Sequence, residues 1–267
     1  MGSADGAYTF DTKYNLFSPK VGVSYALSEE TNSYINIAQG NQAPSDSEVK
    51  SNILSKASEL KLATIQNYEV GLKHRSRDTS IDMAIYQMMI SDDIVQVPQT
   101  QYTTIYQNAG KTEKKGLEVS GTYDLFSWLN VGVNYAYSDY KYSDFKEIVR
   151  VRGAVTTQER SGNQLPFIPK HQYSLSSNIN YENIVMALST QTWGEYHIDA
   201  ANSEKFGGFE FVTNMMLGYF WGDQSLQLNV NNLFDQRYAV SVTKSSSGNS
   251  YSAGAPLMAT LSYMLEF

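Results

Sequence analysis

The sequence has 267 residues, no cysteine and a formal net charge of −7 at pH 7, which argues against a nucleic-acid partner because phosphates bind lysine- and arginine-rich surfaces. The absence of cysteine excludes disulfides and thiolate metal sites, and His74, His171 and His197 lie too far apart in sequence for a zinc site. No window approaches the roughly 18 consecutive apolar residues of a membrane-spanning helix, which excludes a helical membrane protein.

Alternation of apolar and polar residues is the dominant pattern along the chain. In the first run, Val21, Val23 and Tyr25 alternate with small or polar neighbours, which predicts a strand with one apolar face. About eleven such runs occur, each near the roughly 9–11 residues that a tilted strand needs to cross a bilayer. The predicted strands cover residues 17–28, 31–40, 65–76, 79–91, 114–125, 128–138, 171–181, 183–194, 208–220, 224–236 and 255–267.

The polar positions of these runs are mostly Asn, Ser, Thr, Gln and Gly, whereas a soluble sheet is usually coated with Lys and Glu. Such faces are typical of the wet interior of a large barrel whose apolar side meets lipid. The 20 tyrosines and the 13% aromatic content suit the aromatic girdles at the two lipid–water boundaries. A soluble β-sandwich, which also alternates, is the competing interpretation.

The connections between the predicted strands alternate between short and long. The short ones are residues 28–31, 76–79, 126–128, 181–183 and 222–224, and the long ones are about 41–64, 92–113, 139–170, 195–207 and 237–254. Outer-membrane barrels have this asymmetry. The sequence therefore predicts an all-β fold, an antiparallel transmembrane β-barrel segment of about eleven strands with short periplasmic turns and long extracellular loops, in one partial barrel domain over residues 1–267.

The odd number of strands carries a further expectation. If the last strand ends in the periplasm, residues 1–16 fall in an extracellular loop, whereas bacterial single-chain barrels have an even number of strands and both ends in the periplasm. We therefore expect the N-terminal barrel strands to be absent. Because exposed strand edges are costly in lipid, we also expect self-closure through a parallel seam between 17–28 and 255–267, or self-association of two chains through two such seams into a ring of about twenty-two strands.

Several stretches match motifs of one family, in the family's order along the chain. They are Phe17-Ser18-Pro19-Lys20-Val21-Gly22, Ala43-Pro44-Ser45, Asn67-Tyr68-Glu69-Val70-Gly71-Leu72-Lys73, Asn108-Ala109-Gly110, Lys115-Gly116-Leu117-Glu118, Pro166 with Ile168-Pro169-Lys170-His171, and Asn232-Leu233-Phe234-Asp235-Gln236-Arg237-Tyr238. With the terminal Phe267, these motifs resemble the second half of the barrel of TonB-dependent outer-membrane receptors. The loop residues 62–64, Leu-Ala-Thr, depart from the family's usual L-x-PE.

The resemblance implies a location in the outer membrane of a Gram-negative bacterium and contact with membrane lipid and lipopolysaccharide. It implies assembly by the barrel-assembly machinery, which reads the terminal Phe267. In the parent receptor it implies uptake of a scarce nutrient such as a ferric siderophore, with TonB and a metal-chelate ligand as partners. We expect this chain to lack the family's TonB box and plug domain, and the resemblance implies that energised transport depends on the plug.

Most of the motif residues are expected to be structural. Asn232 and Asp235 can bond neighbouring backbone at the end of a strand, and Leu233, Phe234, Tyr238 and Gly116 belong to the same motifs. Glu69, Glu118 and Lys73 face the predicted lumen. They would contact the plug or form a salt-bridged or solvated wall.

One long loop is basic on an otherwise acidic chain. The candidate ligand-binding residues of this loop are Tyr140, Tyr142, Arg150 and Arg152, and Lys141, Phe145, Lys146 and Arg160 accompany them. Arginine with tyrosine suits an anionic chelate that carries planar groups. A loop that faces lipopolysaccharide or is only solvated is the alternative.

Two other functional classes were weighed against the receptor. A free-standing small porin or surface adhesin would also alternate and would form a closed pore or a rigid loop surface. An enzyme is disfavoured because no Ser/His or acidic catalytic arrangement can be assembled from the sequence. Haem ligation by His171 or His197 is conceivable, but we predict no cofactor and no metal site.

Overall fold

The computed structural model describes residues 16–98, 104–108, 110–151, 154–245 and 248–266. Eleven strands form one antiparallel sheet in simple chain order. They are β1 Lys20–Ala26, β2 Thr31–Gln42, β3 Ala63–Arg75, β4 Thr79–Ser91, β7 Lys111–Phe126, β8 Leu129–Asp144, β11 His171–Tyr181, β12 Ile184–Trp193, β15 Phe209–Trp221, β16 Gln224–Asn231 and β19 Met258–Leu265. Within the described ranges, no helix is long and apolar enough to cross a membrane.

The remaining elements lie in the long connections. They are α1 Asp46–Leu54 and the hairpins β5 Ile94–Pro98 with β6 Thr104–Asn108, β9 Lys146–Val151 with β10 Ala154–Glu159, β13 Tyr196–His197 with β14 Lys205–Phe206, and β17 Ala239–Ser245 with β18 Gly248–Ala253. The predicted antiparallel sheet of about eleven strands is confirmed. The loops, predicted only to be long, contain a helix and four hairpins.

Cross-strand register joins the alternation of single strands into one continuous apolar face. Val23 lies opposite Ile35, Ile35 opposite Val70, and Val70 opposite Ile85. Large apolar side chains on this face are exposed, for example Val23 at 66% and Leu261 at 67%. In water such a surface would be unfavourable, whereas against hydrocarbon it loses nothing.

Aromatic rings mark both margins of the apolar face. At the end of the short turns, Trp128 contacts Phe126 at 5.2 Å and Tyr181 at 6.0 Å between ring centroids. At the opposite end, Tyr173 contacts Phe211 at 6.0 Å. Tyr173 and Tyr181 are eight residues apart on β11, roughly 26 Å along the strand. At a strand tilt of about 40°, that distance corresponds to about 20 Å across the membrane, somewhat less than the apolar band of about 25 Å in such barrels.

The first and last strands have one neighbour each. In the part of the chain that the structure describes, β1 pairs only with β2 and β19 only with β16. The expected self-closure between 17–28 and 255–267 is therefore wrong for this structure. After ten antiparallel pairings, β1 and β19 run in the same direction, so a seam between them would have to be parallel, unlike every other pair of the sheet. Self-association through these edges stays a prediction.

The Asn232–Asp235 turn ends β16, which is why this strand stops at Asn231 and not at the predicted residue 236. Asn232 is 1% exposed and has a positive φ of 50°. Its Nδ2 donates to the carbonyls of Gln236 and Ala255, both at 2.9 Å, and its Oδ1 accepts from the backbone N–H of Gln236 at 2.9 Å. Asp235 Oδ1 accepts from the N–H of Leu257 at 3.2 Å. One side chain thus ties the end of β16 to the start of β19.

Glycines in two of the sequence motifs lie under tyrosine rings of the neighbouring strand. Gly71 is opposite Tyr34 and Gly116 is opposite Tyr86. A Cβ atom on either glycine would stand 2.3 Å from the tyrosine Cζ. The ring therefore occupies the space that only glycine leaves free. Tyr86 is held there by a hydrogen bond of 2.6 Å between its hydroxyl and that of Tyr140.

Replacing Asn232 with alanine should lower the free energy of unfolding by about 2–4 kcal/mol. The change leaves one buried N–H and two carbonyls without partners, and alanine is less tolerant of a positive φ. The exposed neighbour Asn231 is the matched control, because Asn231→Ala removes no buried bond. Urea unfolding of the lipid-embedded chain measures both variants, and equal losses would contradict the assigned role of Asn232.

Gly116→Ala should displace the Tyr86 ring and lower the free energy of unfolding by about 1–3 kcal/mol. Gly121→Ala on the same strand is the control, since a Cβ there meets its nearest atom at an ordinary 3.4 Å. In a double-mutant cycle, Tyr86→Ser should remove most of the penalty of Gly116→Ala. Strict additivity of the two changes would show that the ring is not the cause.

Candidate functional site

The polar face of the sheet carries a concave acidic region, here called the inner wall, with a cavity of about 580 Å³. Adjacent strands place Glu69, Asp82 and Glu118 around it, because all three occupy positions of the same parity in β3, β4 and β7. Two cations lie on the same face. Lys73 Nζ is 5.7 Å from the Tyr34 ring centroid, and Arg75 pairs with Asp82 at 2.5 Å. The inner wall therefore has more carboxylates than cations.

Some acceptors of this region have no partner among the described residues. Asp82 Oδ1 and Asn67 Oδ1 are buried and accept no hydrogen bond. A buried acceptor without a donor costs about 1–3 kcal/mol. The inner wall is thus suited to a group that brings N–H or O–H donors and positive charge.

Tyr140 lies on the same face, nearer the loops. Its hydroxyl bonds that of Tyr86, and Lys114 Nζ is 6.0 Å from its ring centroid. Lys114 in turn lies 3.4 Å from the carboxylate of Asp93, which accepts a hydrogen bond from Thr112 at 2.6 Å. Tyr140 is half-buried, so part of its side chain remains exposed.

The structure corrects the expectation for Tyr142. Its ring is 1% exposed, stacks on Phe145 at 4.6 Å and packs with Val95 and Ile105 of the β5–β6 hairpin. Contacts from a distant loop bury it, so Tyr142 supports the loop and is not available to a ligand. The side chain of Arg150 and the whole of Arg152 lie outside the described residues.

Arg160, the other arginine of this loop, is engaged within the loop. Its guanidinium donates to Glu147 at 2.7 Å, and the two side chains are 14% and 15% exposed. It thus fixes the β9–β10 hairpin and does not present a free charge.

The long loops are joined laterally by two small apolar cores. The first contains Val95, Ile105, Tyr142 and Phe145, and the second contains Tyr196, Ile198 and Val242 with Phe167 and Phe206 packed against it. Between the helix and a hairpin, Asn52 bonds both the N–H and the carbonyl of Tyr106, at 2.7 and 2.8 Å. We call this joined set of loops the loop layer.

Polar contacts complete the loop layer. Lys244 Nζ lies 2.5 Å from Asp199 Oδ2 and 3.2 Å from Glu204 Oε2, which links two loops. Burial acts to raise the pKa of Asp199, but hydrogen bonds from Lys244 and Ser203 outweigh it and hold that pKa below its usual range. The Asp199 hydrogen bond, together with Glu204, raises the pKa of Lys244. Both groups are therefore charged at neutral pH.

The histidines do not form a site. His171 is on the apolar face and its Nδ1 lies 3.0 Å from the Tyr135 hydroxyl. His197 lies in the loop layer, and its buried Nδ1 has no partner within the described part of the chain. No group of three or more possible metal-ligating residues occurs in the described ranges.

Glu69, Glu118 and Lys73 lie on one face, as their alternation predicted. Tyr140, which was expected in a long loop, lies in β8 on the same face. Asp82 and Tyr86 were missed, although their parity on β4 places them beside Glu69 and Glu118. Asn52 was missed as well, because nothing in its local sequence indicates a partner 54 residues away.

Known proteins resemble the chain in sequence and in fold. It is 24% identical over 236 residues to the ferrichrome outer membrane transporter/phage receptor of Escherichia coli K12. This alignment covers 84% of the chain and 29% of the relative. It is 26% identical over 266 residues to the catecholate siderophore receptor Fiu of the same organism. This alignment covers 95% of the chain and 33% of Fiu. The chain therefore spans about a third of the length of these curated relatives.

Solved structures agree. The siderophore receptor PiuA of Acinetobacter baumannii superposes with a TM-score of 0.71 at 21% identity, covering 91% of this chain and 34% of that one. The motif resemblance and the outer-membrane location implied by it are confirmed. Because residues 2–233 match the family described as TonB dependent receptor-like, beta-barrel, the chain belongs to the TonB-dependent receptor β-barrel family of the Gram-negative outer membrane.

Proposed function

We propose that this chain forms part of the barrel wall of a receptor that takes up a ferric siderophore through the outer membrane, with TonB as the source of energy. The named relatives are receptors or transporters of ferrichrome and of catecholate siderophores. The proposed role consists of binding and passage, without a catalytic step.

The observation that carries the proposal is the inner wall itself. Its carboxylates exceed its cations, and two buried acceptors on the same face have no donor among the residues that the structure describes. Such a surface is stabilised by a separate folded unit that supplies donors and positive charge. In this family that unit is the plug domain, against which Glu69 and Glu118 would lie.

Ligand contact is assigned to the space between the inner wall and the loop layer. Tyr140, whose ring lies beside Lys114, is the aromatic candidate for this contact. Arg150 and Arg152 remain candidates for attracting an anionic chelate, since their loop lies at the extracellular end. Phe267, as the terminal aromatic residue, remains the candidate signal for the barrel-assembly machinery.

The porin or adhesin alternative gains no support. A free-standing pore needs a closed ring, and among the described strands β1 and β19 do not pair.

Deletion of the gene that encodes this chain should abolish uptake of radioactive iron from at least one class of siderophore under iron limitation. Reintroducing the gene should restore uptake, and loss of TonB should abolish it again. Hydroxamate, catecholate and citrate-type chelates should be tested in parallel. Unchanged uptake of all of them in the deletion strain would overturn the siderophore assignment.

The double variant Arg150→Gln/Arg152→Gln should slow association of an anionic ferric chelate roughly tenfold at low salt, because steering by charge is lost. The difference should shrink at high salt. Arg77→Gln is the matched control, since this 95% exposed arginine lies at the short-turn end. Stopped-flow fluorescence measures the rates, and an equal effect of Arg77→Gln would argue against a local role of the loop.

A further inference from the structure

Charged side chains on the polar face are confined to one side of the sheet. On β1, β3, β4 and β7 the inward charged residues are Lys20, Glu69, Lys73, Arg75, Asp82, Lys114, Glu118 and Asp124. The six strands from β8 to β19 differ. No Asp, Glu, Lys or Arg occupies an inward position over residues 129–140, 171–181, 184–193, 212–221, 224–231 and 258–265, all of which the structure describes. We call this part of the polar face the neutral sector.

Many inward positions of the neutral sector carry short side chains. They are Gly132, Ala136, Ser174, Ser176, Ala187, Ser189 and Gly218. Gly132 lies so close to Ser176 that a Cβ atom on the glycine would stand 2.5 Å from the serine Oγ. On the inner wall, by contrast, the rings of Tyr34 and Tyr86 cover the glycines. Short side chains therefore leave more free space in front of the neutral sector than in front of the inner wall.

The polar groups of the neutral sector bond one another. Asn134 Nδ2 donates to Ser174 Oγ at 3.2 Å, and Gln227 Nε2 donates to Asn229 Oδ1 at 3.1 Å. Within the described ranges, the buried acceptors of the polar face that lack a donor are those of Asn67 and Asp82, both on the charged side. A domain that supplies donors therefore gains more on the inner wall than on the neutral sector.

The cavity described above joins the two parts of the polar face. Its lining begins at Glu118 on the inner wall and continues through Asn134 to Gln172 and Trp193. From Gln172, the inward positions of β11 reach Asn180 beside the short turn, eight residues further on, which is roughly 26 Å along the strand. The neutral sector is thus a continuous uncharged surface from the loops to the short-turn end.

A surface of hydroxyl and amide groups is suited to the passage of an ionic, hydrated solute. Passage requires contacts that are favourable enough for entry and weak enough for release. Charged groups would bind or repel an ionic chelate more strongly, because hydrogen bonds to ionised groups are the strong ones. An anionic chelate is also repelled by the carboxylates of Glu69, Asp82 and Glu118. The neutral sector lacks both the strong binding and the repulsion.

We propose that the iron chelate passes the plug along the neutral sector, while the plug stays docked on the inner wall. The inference rests on the proposed function and adds the side of the barrel on which the passage opens. On the inner wall, Asp82 and Asn67 give a docked domain bonds that are costly to break. Opening in front of β11 and β12 breaks no comparable bond.

Single cysteines test which side opens, because residues 1–267 contain no cysteine. Ser176→Cys lies in the neutral sector and Ala84→Cys in the inner wall. Both positions are half-buried and five residues from the short turn of their strand, so they are matched in exposure and depth. The full-length receptor is labelled in living cells with a membrane-impermeant maleimide. Ferrichrome and a ferric catecholate are both present, and a proton uncoupler is present or absent.

Energised cells should label Ser176→Cys roughly tenfold faster than uncoupled cells, as expected when a state populated at about 1% rises to about 10%. Labelling of Ala84→Cys should not change. The unsubstituted receptor gives the background from any cysteine outside residues 1–267. Acceleration at Ala84→Cys alone, equal acceleration at both positions, or acceleration at neither would overturn the proposal.

A charge placed in the neutral sector tests passage itself. Ser176→Asp should slow uptake of radioactive iron from an anionic ferric catecholate about fivefold, as expected for one like charge about 8 Å away at an effective dielectric constant of about 40. Binding to uncoupled cells should stay unchanged. Ala84→Asp should alter neither quantity, since the inner wall is already acidic, and equal slowing by the two variants would contradict the proposal. Absence of iron uptake by the unsubstituted receptor, with labelling still confined to Ser176→Cys, would contradict the siderophore assignment alone.

Discussion

Hydrocarbon offers no hydrogen-bond partner, so every backbone N–H and C=O at membrane depth must be paired within the protein. The ten antiparallel pairings of the large sheet meet this requirement for all strands except the outer edges of β1 and β19. The period-two alternation follows from the same ladder, because a paired strand must present one face to lipid and the other to the interior. The two open edges are where the described chain leaves the requirement unmet.

Outside the membrane, water can hydrogen-bond to backbone groups, so the loops need not form a continuous ladder. There, contacts between side chains hold the structure together. The loop layer is held by two apolar cores and by side-chain bonds between loops, such as those of Asn52 and Lys244. Each hairpin alone is too small to be stable, since two strands bury little surface. Their mutual contacts turn separate loops into one surface above the inner wall.

The sequence predicted the structure best in the membrane strands, where each strand meets the same environment. Strand number and most boundaries could be predicted because every strand meets the same lipid and the same lumen. Asn232 ended β16 early through its positive φ and side-chain bonds, which alternation does not reveal. The helix α1 had a readable signal in Ser45 and Glu48, which form a capping box, but its surroundings are irregular. The burial of Tyr142 was not predictable, because residues about forty positions away determine it.

The glycine–tyrosine pairs have a consequence for how neighbouring strands find their alignment during assembly. Alternation forbids a slip by one residue, since lipid-facing side chains would turn inward. It does not distinguish the native alignment from a slip by two, in which every side chain keeps its face. After such a slip, Tyr86 would lie over Lys114 or Glu118 in place of Gly116, and its ring would collide with a side chain. The two glycines, Gly71 on β3 and Gly116 on β7, thus specify which of the alignments that keep every side chain on its face is the native one.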